Sequence, residues 1–150
     1  NRVYHHTAPI LLVYAMREAL RLLYEEELEN RWQRHTLNAA ALRSGLEAMG
    51  LELHVKEARF RCPTLTSVKV PNGVQDKNVK ETLREQFNIT IGGGLGELAG
   101  KILRIGLMGM NANERSVILV LEALERALKK ESYPVNVGSG IAAAIETYTK

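Results

Sequence analysis

The stretch "TIGGGLGELAGKILRIG", residues 90–106, decides how this chain folds. Three consecutive glycines, with Gly96 and Gly100 beyond them, either cradle a phosphate or turn the chain ahead of a strand that carries Arg104. A Walker-type loop needs four residues between its first glycine and a Gly-Lys pair, followed by Ser or Thr. Here five residues separate Gly94 from Gly100, and Lys101 is followed by Ile102, so the pattern fails twice. Gly94-Leu-Gly96-Glu-Leu-Ala99 matches the looser dinucleotide spacing, but such a loop must open a helix whose amides hold a pyrophosphate. The residues after it are "KILRIGL", a β pattern. The glycines are therefore read as a sharp turn that brings backbone close to something.

Arg104 is the more informative residue. Leu103, Ile105 and Leu107 define one face of the strand, so Ile102, Arg104 and Gly106 define the other. A guanidinium inside an apolar run is costly to bury unpaired and needs a carboxylate or phosphate. Two readings stand: an internal salt bridge to a structural Asp or Glu, or a ligand carboxylate held by two parallel hydrogen bonds. Gly106 and the preceding glycines leave room for the second.

Outward from this stretch, the chain reads as two helices, two strands, a helix, two strands and a helix. Pro9 suits the first turn of a helix, and "ILLVYAM" after it is apolar on every side, which calls for cover from another domain or subunit. From Leu28 the pattern becomes one-sided, with Leu28, Trp32, Ala39, Leu42, Leu46 and Met49 in a stripe and Gly50 as stop. "LELHVK" and "LTSVKV" read as strands, the second closed by Pro71-Asn72-Gly73. Val79, Leu83 and Phe87 mark a helix that Asp76 is placed to cap. "NITI" and "KILRIGL" follow as strands. Asn111 with Glu114 resembles a capping box ahead of a helix striped by Val117, Val120, Leu121, Leu124 and Leu128. The fold class predicted is α+β: a small, mainly antiparallel sheet with helices packed on one face, preceded by two long helices. After Pro134 the composition shifts, and Gly138-Ser139-Gly140 reads as a link to a short terminal helix or a frayed end.

A chain of 150 residues, 45% hydrophobic and 25% charged, is in the globular class. The 20 basic and 17 acidic residues are interleaved, which describes a solvated helix surface better than a polyanion footprint. The strands offer only Phe60 nearby for base stacking, so nucleic acid is not an expected partner. No apolar run approaches the roughly 20 residues of a membrane-spanning helix, and a soluble, intracellular protein with no membrane partner is expected. The lone cysteine, Cys62, excludes an internal disulfide framework and reads as a buried small hydrophobe, and no Cys/His cluster has zinc spacing, so no metal is expected. The chain begins at Asn1 without Met and reaches "YHHTAP" almost at once, which reads as part of a longer polypeptide.

"YHHTAP" at Tyr4 to Pro9, "ETLREQFNITIGGGLGELAGKILRIGLMG" ending at Gly109, and the helix after Asn113 occur in an order and spacing that resemble the C-terminal part of the alanine-glyoxylate, or serine-pyruvate, aminotransferases. These are class V, fold-type I pyridoxal phosphate enzymes. The resemblance runs from Tyr4 to about Lys130 and implies a homodimer whose large domain holds the cofactor on a lysine, while a smaller domain covers the site. It divides the chain into residues 1–24, an interface helix segment leading from the large domain, residues 25–130, the small α+β domain, and a tail, 131–150.

By the same resemblance, Arg104 is the substrate-binding arginine that clamps the α-carboxylate of the amino acid. Tyr4 and Thr7 are cofactor-binding residues whose hydroxyls reach across the dimer to the cofactor phosphate. His5 and His6 belong to the motif and are assigned packing near the interface. The implied reaction is transfer of an amino group from alanine or serine to glyoxylate or pyruvate. No catalytic residue is expected in this chain: the family's lysine and the aspartate facing the pyridine nitrogen are not among these residues, and Lys101 is not the lysine's position. The chain alone is not expected to catalyse. The competing expectation is a stand-alone α+β module that binds a small anionic ligand without catalysis.

Overall fold

The computed structural model describes residues 5–150, which fall into two compact units divided between Gln33 and Arg34. The first unit holds helix α1, Ile10–Glu26, and the start of helix α2, Leu28–Ala48. Glu27, with φ 66°, breaks the backbone between them. No residue of α1 is buried, and Leu11 and Tyr24 are 85% and 84% exposed. What the helix satisfies by itself is charge: Arg21 bridges Glu18 and Glu25 one turn to either side.

The second unit is built on a three-stranded antiparallel sheet of β1, Leu65–Lys69, β2, Gly92–Gly93, and β3, Ile102–Gly106, in the order β1-β3-β2. Helices α3, Asp76–Phe87, and α4, Glu114–Lys130, supply the cover of one face together with α2. Val68, Leu103 and Ile105 pack there with Leu42, Leu46, Val79, Leu83, Val117, Leu121, Leu124 and Leu128. The architecture is α+β with five helices among the described residues. The apolar stripe of α4 is buried along its length.

Several elements differ from their sequence expectations, each for a local reason. "LELHVK" makes a single bridge, Leu53 to Val68, because the carbonyls of Val55 and Lys56 are taken by the Arg61 guanidinium at 2.9 and 2.8 Å instead of by a strand. "NITI" is not a strand: Asn88 ends α3 in the left-handed region at φ 54°, and pairing begins only at Gly92. The capping residue of α4 is Asn113, not Asn111; its side chain accepts the Ser116 N–H at 2.8 Å. Asp76 is the first residue of α3 and pairs with Lys80 at 2.7 Å without capping. The stripe on α2 starts at His35, since Trp32 is 59% exposed. Cys62 is exposed, in the loop that Pro63 turns toward β1; the Thr64 hydroxyl, 3.0 Å from its sulfur, lowers the thiol pKa.

The region after Pro134 forms helix α5, Ser139–Tyr148, which joins the second unit. A Cβ on Gly45 of α2 would sit 2.5 Å from the Leu121 side chain and 2.8 Å from the Gly140 carbonyl, so glycine lets α2 and α5 meet backbone to backbone. The approach to α5 is tied by Glu125, which accepts the Gly138 N–H at 2.6 Å and pairs with Lys129 at 2.9 Å. Burial acts to raise the Glu125 pKa, but Lys129 and the Gly138 N–H outweigh it, and the net shift is downward from 4.5. A depressed carboxyl stabilises the fold above its unfolded pKa, and that contribution is lost as pH falls through the folded value. Thermal denaturation of wild type and Glu125→Gln should therefore differ at neutral pH and converge as the pH drops below 4.5.

The glycine turn supplies a second stability test. A Cβ on Gly94 would lie 1.8 Å from the Leu98 carbonyl oxygen, a backbone atom that cannot step aside, whereas one on Gly106 would meet nothing within 4 Å. Gly94→Ala should cost about 3 kcal/mol in chemical denaturation, and Gly106→Ala less than about 0.5 kcal/mol.

Candidate functional site

Arg104 stands at the middle of the central strand, with Ser67 of β1 and Gly92 of β2 as its cross-strand partners. The alternation that buries Leu103 and Ile105 sets Arg104 on the opposite face, where it is half-buried. Its Nε donates to the Gly93 carbonyl at 2.7 Å, which fixes the plane of the guanidinium. Gly92 makes this possible, since a Cβ there would lie 3.3 Å from Nε and 3.4 Å from Nη2. Among the described residues no carboxylate lies within the 4.0 Å of an ion pair to Arg104, and its Nη1 and Nη2 donate to none of them. A cation in this setting has unused, forked donors on an open face, which suits a planar carboxylate.

The loop between β2 and β3 is a hairpin connection. Gly94 N–H donates to Ile102 O at 3.0 Å, and Gly96–Leu98 makes one 3₁₀ turn before the chain re-enters the sheet. With no helix after the glycines, the backbone amides are not gathered as a phosphate or dinucleotide loop requires.

Beyond β3 the chain passes through a 3₁₀ turn at Gly109–Asn111, and three side chains of α2 hold it. Arg34 donates to the carbonyls of Gly109 and Ala112 at 2.9 and 2.6 Å. His35 Nε2 accepts the Gly109 N–H at 3.1 Å. Asn38 Nδ2 donates to Arg34 O at 2.8 Å and Ala112 O at 3.3 Å, while its Oδ1 accepts from the Tyr148 hydroxyl at 2.7 Å. The two carbonyls orient the amide, because a flipped Asn38 would set oxygen against oxygen at Arg34 and Ala112. Burial, with the Glu114 carboxylate second, pushes the Tyr148 phenol up to about 12. His35 and Asn38 escape a reading of the sequence as polar anchors, although both occupy inward positions of α2 at the spacing of Leu42 and Leu46. Tyr148 carries no sequence signal for this role.

Thr7 is exposed and lies ahead of α1 in the first unit, whereas Arg104 belongs to the second. Tyr4 lies outside the described residues. His5 and His6 are exposed, with ring centroids 4.2 Å apart. No helix of the described residues is long and apolar enough to cross a membrane.

A model of the aminotransferase class-V family matches residues 1–117. The chain belongs to that family. It is 50% identical over 128 residues to an alanine–glyoxylate aminotransferase of Callithrix jacchus, covering 85% of this chain and 31% of the relative. The structure of a ureidoglycine–glyoxylate aminotransferase from Bacillus subtilis superposes with a TM-score of 0.94 at 39% identity, covering 99% of this chain and 38% of that one. An alanine–glyoxylate aminotransferase structure from Nostoc sp. does so with 0.81 at 56% identity, covering 85% and 33%. The chain thus spans about a third of the length of these proteins.

The geometry around Gly92 gives a direct test of the guanidinium's placement. Gly92→Val should push Nε off Gly93 O, so that any carboxylate held at Arg104, with acetate as the probe, binds about tenfold more weakly, while the denaturation midpoint shifts little. Ligand-observed NMR titration against the unaltered protein measures it.

Proposed function

We propose that this chain is the substrate-clamping C-terminal part of an aminotransferase that moves an amino group from alanine or serine to glyoxylate or pyruvate. Membership of the class-V family implies a pyridoxal phosphate-type cofactor and a pair of substrates, an amino acid and a 2-oxo acid. The observation that carries the reading is the Arg104 guanidinium, anchored by Gly93 O with both terminal nitrogens unused by the described residues. Held through Nε, it presents Nη1 and Nη2 end-on, so two parallel hydrogen bonds fix an α-carboxylate in plane and direction. Fixing the carboxylate limits rotation about the bond to Cα and holds the Cα–H bond in line for a base to take the proton.

When bound, the cofactor supplies an electron sink beside Cα. The described donors fit such a pairing: a forked cation for the carboxylate, and at Thr7 an exposed hydroxyl for the cofactor phosphate of a neighbouring subunit in a homodimer. Tyr4 is proposed to share that phosphate. The base is the family's lysine, which lies outside these residues, so the 150-residue chain has no turnover of its own. Residues 1–24 are read as the interface segment, in keeping with an α1 whose apolar side chains find no cover within their own unit.

In the full-length protein, Arg104→Ala should raise the KM for the amino acid and lower kcat/KM about 10²- to 10³-fold, the cost of removing one partner of a charged, forked pair. Arg104→Lys keeps charge without the fork and should recover about tenfold of that loss. The cofactor's absorbance spectrum should be unchanged in both. An Arg104→Ala protein with wild-type KM for alanine and serine would end this assignment.

A further inference from the structure

The two-fold alternation of β3 continues past its last ladder residue. Leu107 is buried and donates its N–H to Thr64 O at 2.9 Å, and Met108 is still extended, with φ −124° and ψ 144°. Arg104, Gly106 and Met108 therefore fall in succession on the face away from the core, each step advancing about 6.6 Å. Between the backbone positions of Arg104 and Met108, Gly106 leaves open space, with no heavy atom within 4 Å of where its Cβ would sit. Leu65, the cross-strand partner of Gly106, is 42% exposed and Met108 is 69% exposed. The result is an open slot floored by the bare backbone of Gly106, with Arg104 before it along the strand and the exposed apolar side chains of Leu65 and Met108 across and beyond it.

A methionine on a loose turn would make a poor wall, since its side chain adapts to almost any neighbour. Here the next residue, Gly109, is held at both its N–H and its carbonyl by His35 and Arg34, and Ala112 by Arg34 and Asn38. The backbone that carries Met108 is thereby fixed relative to α2 and, through Tyr148, to α5.

We propose that Met108 is a specificity-determining residue: a carboxylate ligand held at Arg104 lays its alkyl substituent in the slot over Gly106, against Met108 and Leu65. The proposal rests on the carboxylate-binding reading of Arg104 and adds which substituents that site accepts. Burial of each added methylene in the slot tightens binding about three- to fourfold until the slot is filled.

The test uses the full-length protein and a series of simple acids, acetate, propionate, butyrate and pentanoate, titrated by ligand-observed NMR. The expected result is a wild-type Kd that falls about threefold per methylene, a flattened dependence in Met108→Ala, and loss of butyrate and pentanoate binding in Gly106→Val with acetate kept. Gly106→Val has open space to grow into, so it keeps the fold even if Met108→Ala disturbs the turn. A wild-type length dependence retained in both variants overturns the slot while Arg104 still binds the acids. An Arg104→Ala protein that binds every acid as wild type does overturns both the slot and the function proposed above.

Discussion

Burying Leu103, Ile105 and Leu107 on one side of a central strand obliges Arg104 to face the other way. Each of those side chains contributes about 1.5 to 3 kcal/mol on burial, and a slip of one residue in register would forfeit that gain while driving a guanidinium into the core. The position of the cation is thus dictated by the packing behind it. The helices on the core face keep the sheet from moving, and the sheet holds the arginine in its place. Among the described residues, the side chain's direct tether runs from Nε to Gly93 O. On the function proposed above, a site placed in this way is ready before the carboxylate binds, and little ordering cost remains to be met on association.

The same economy governs the margin of the site. A 3₁₀ turn leaves backbone groups without partners, and in this chain they are answered by Arg34, His35 and Asn38 from one helix. Asn38 is nearly fully buried, and both ends of its amide are committed, to Ala112 and to Tyr148. A buried network with its members satisfied resists deformation, whereas a partly satisfied one would be a weak point.

Much of this was legible in the sequence, and the exceptions share a cause. Helix α3 announces itself through Val79 and Leu83, and α4 through Val117, Val120, Leu121, Leu124 and Leu128 at helical spacing. Arg104 stands out because a charge interrupts an alternating apolar run, and its face follows from Leu103 and Ile105. What could not be read was which partner a polar group would choose. Val55 looks like a strand residue until Arg61 takes its carbonyl, Asn88 looks like the start of a strand until it closes a helix, and Cys62 looks buried until Pro63 turns it outward. His35, Asn38 and Tyr148 make their bonds across separations of 74 to 110 residues in sequence, distances over which no local pattern reports. The roles proposed for Thr7 and Tyr4 come from the resemblance, for nothing in the residue pattern around them specifies a ligand.

The close passage of α2 and α5 at Gly45 and Gly140 has a practical meaning for where this segment stops being divisible. The shared family pattern ends at residue 117, in the first turn of α4, yet Leu121, Leu124 and Leu128 of that helix complete the core and Ala144 of α5 is fully buried. A border drawn at the end of that match would therefore cut through a single cooperative body, baring the sides of α2 and the sheet that those residues cover. The matched segment and the folding unit have different edges. Chimeras, truncations and tags at the C-terminal end have to respect the second.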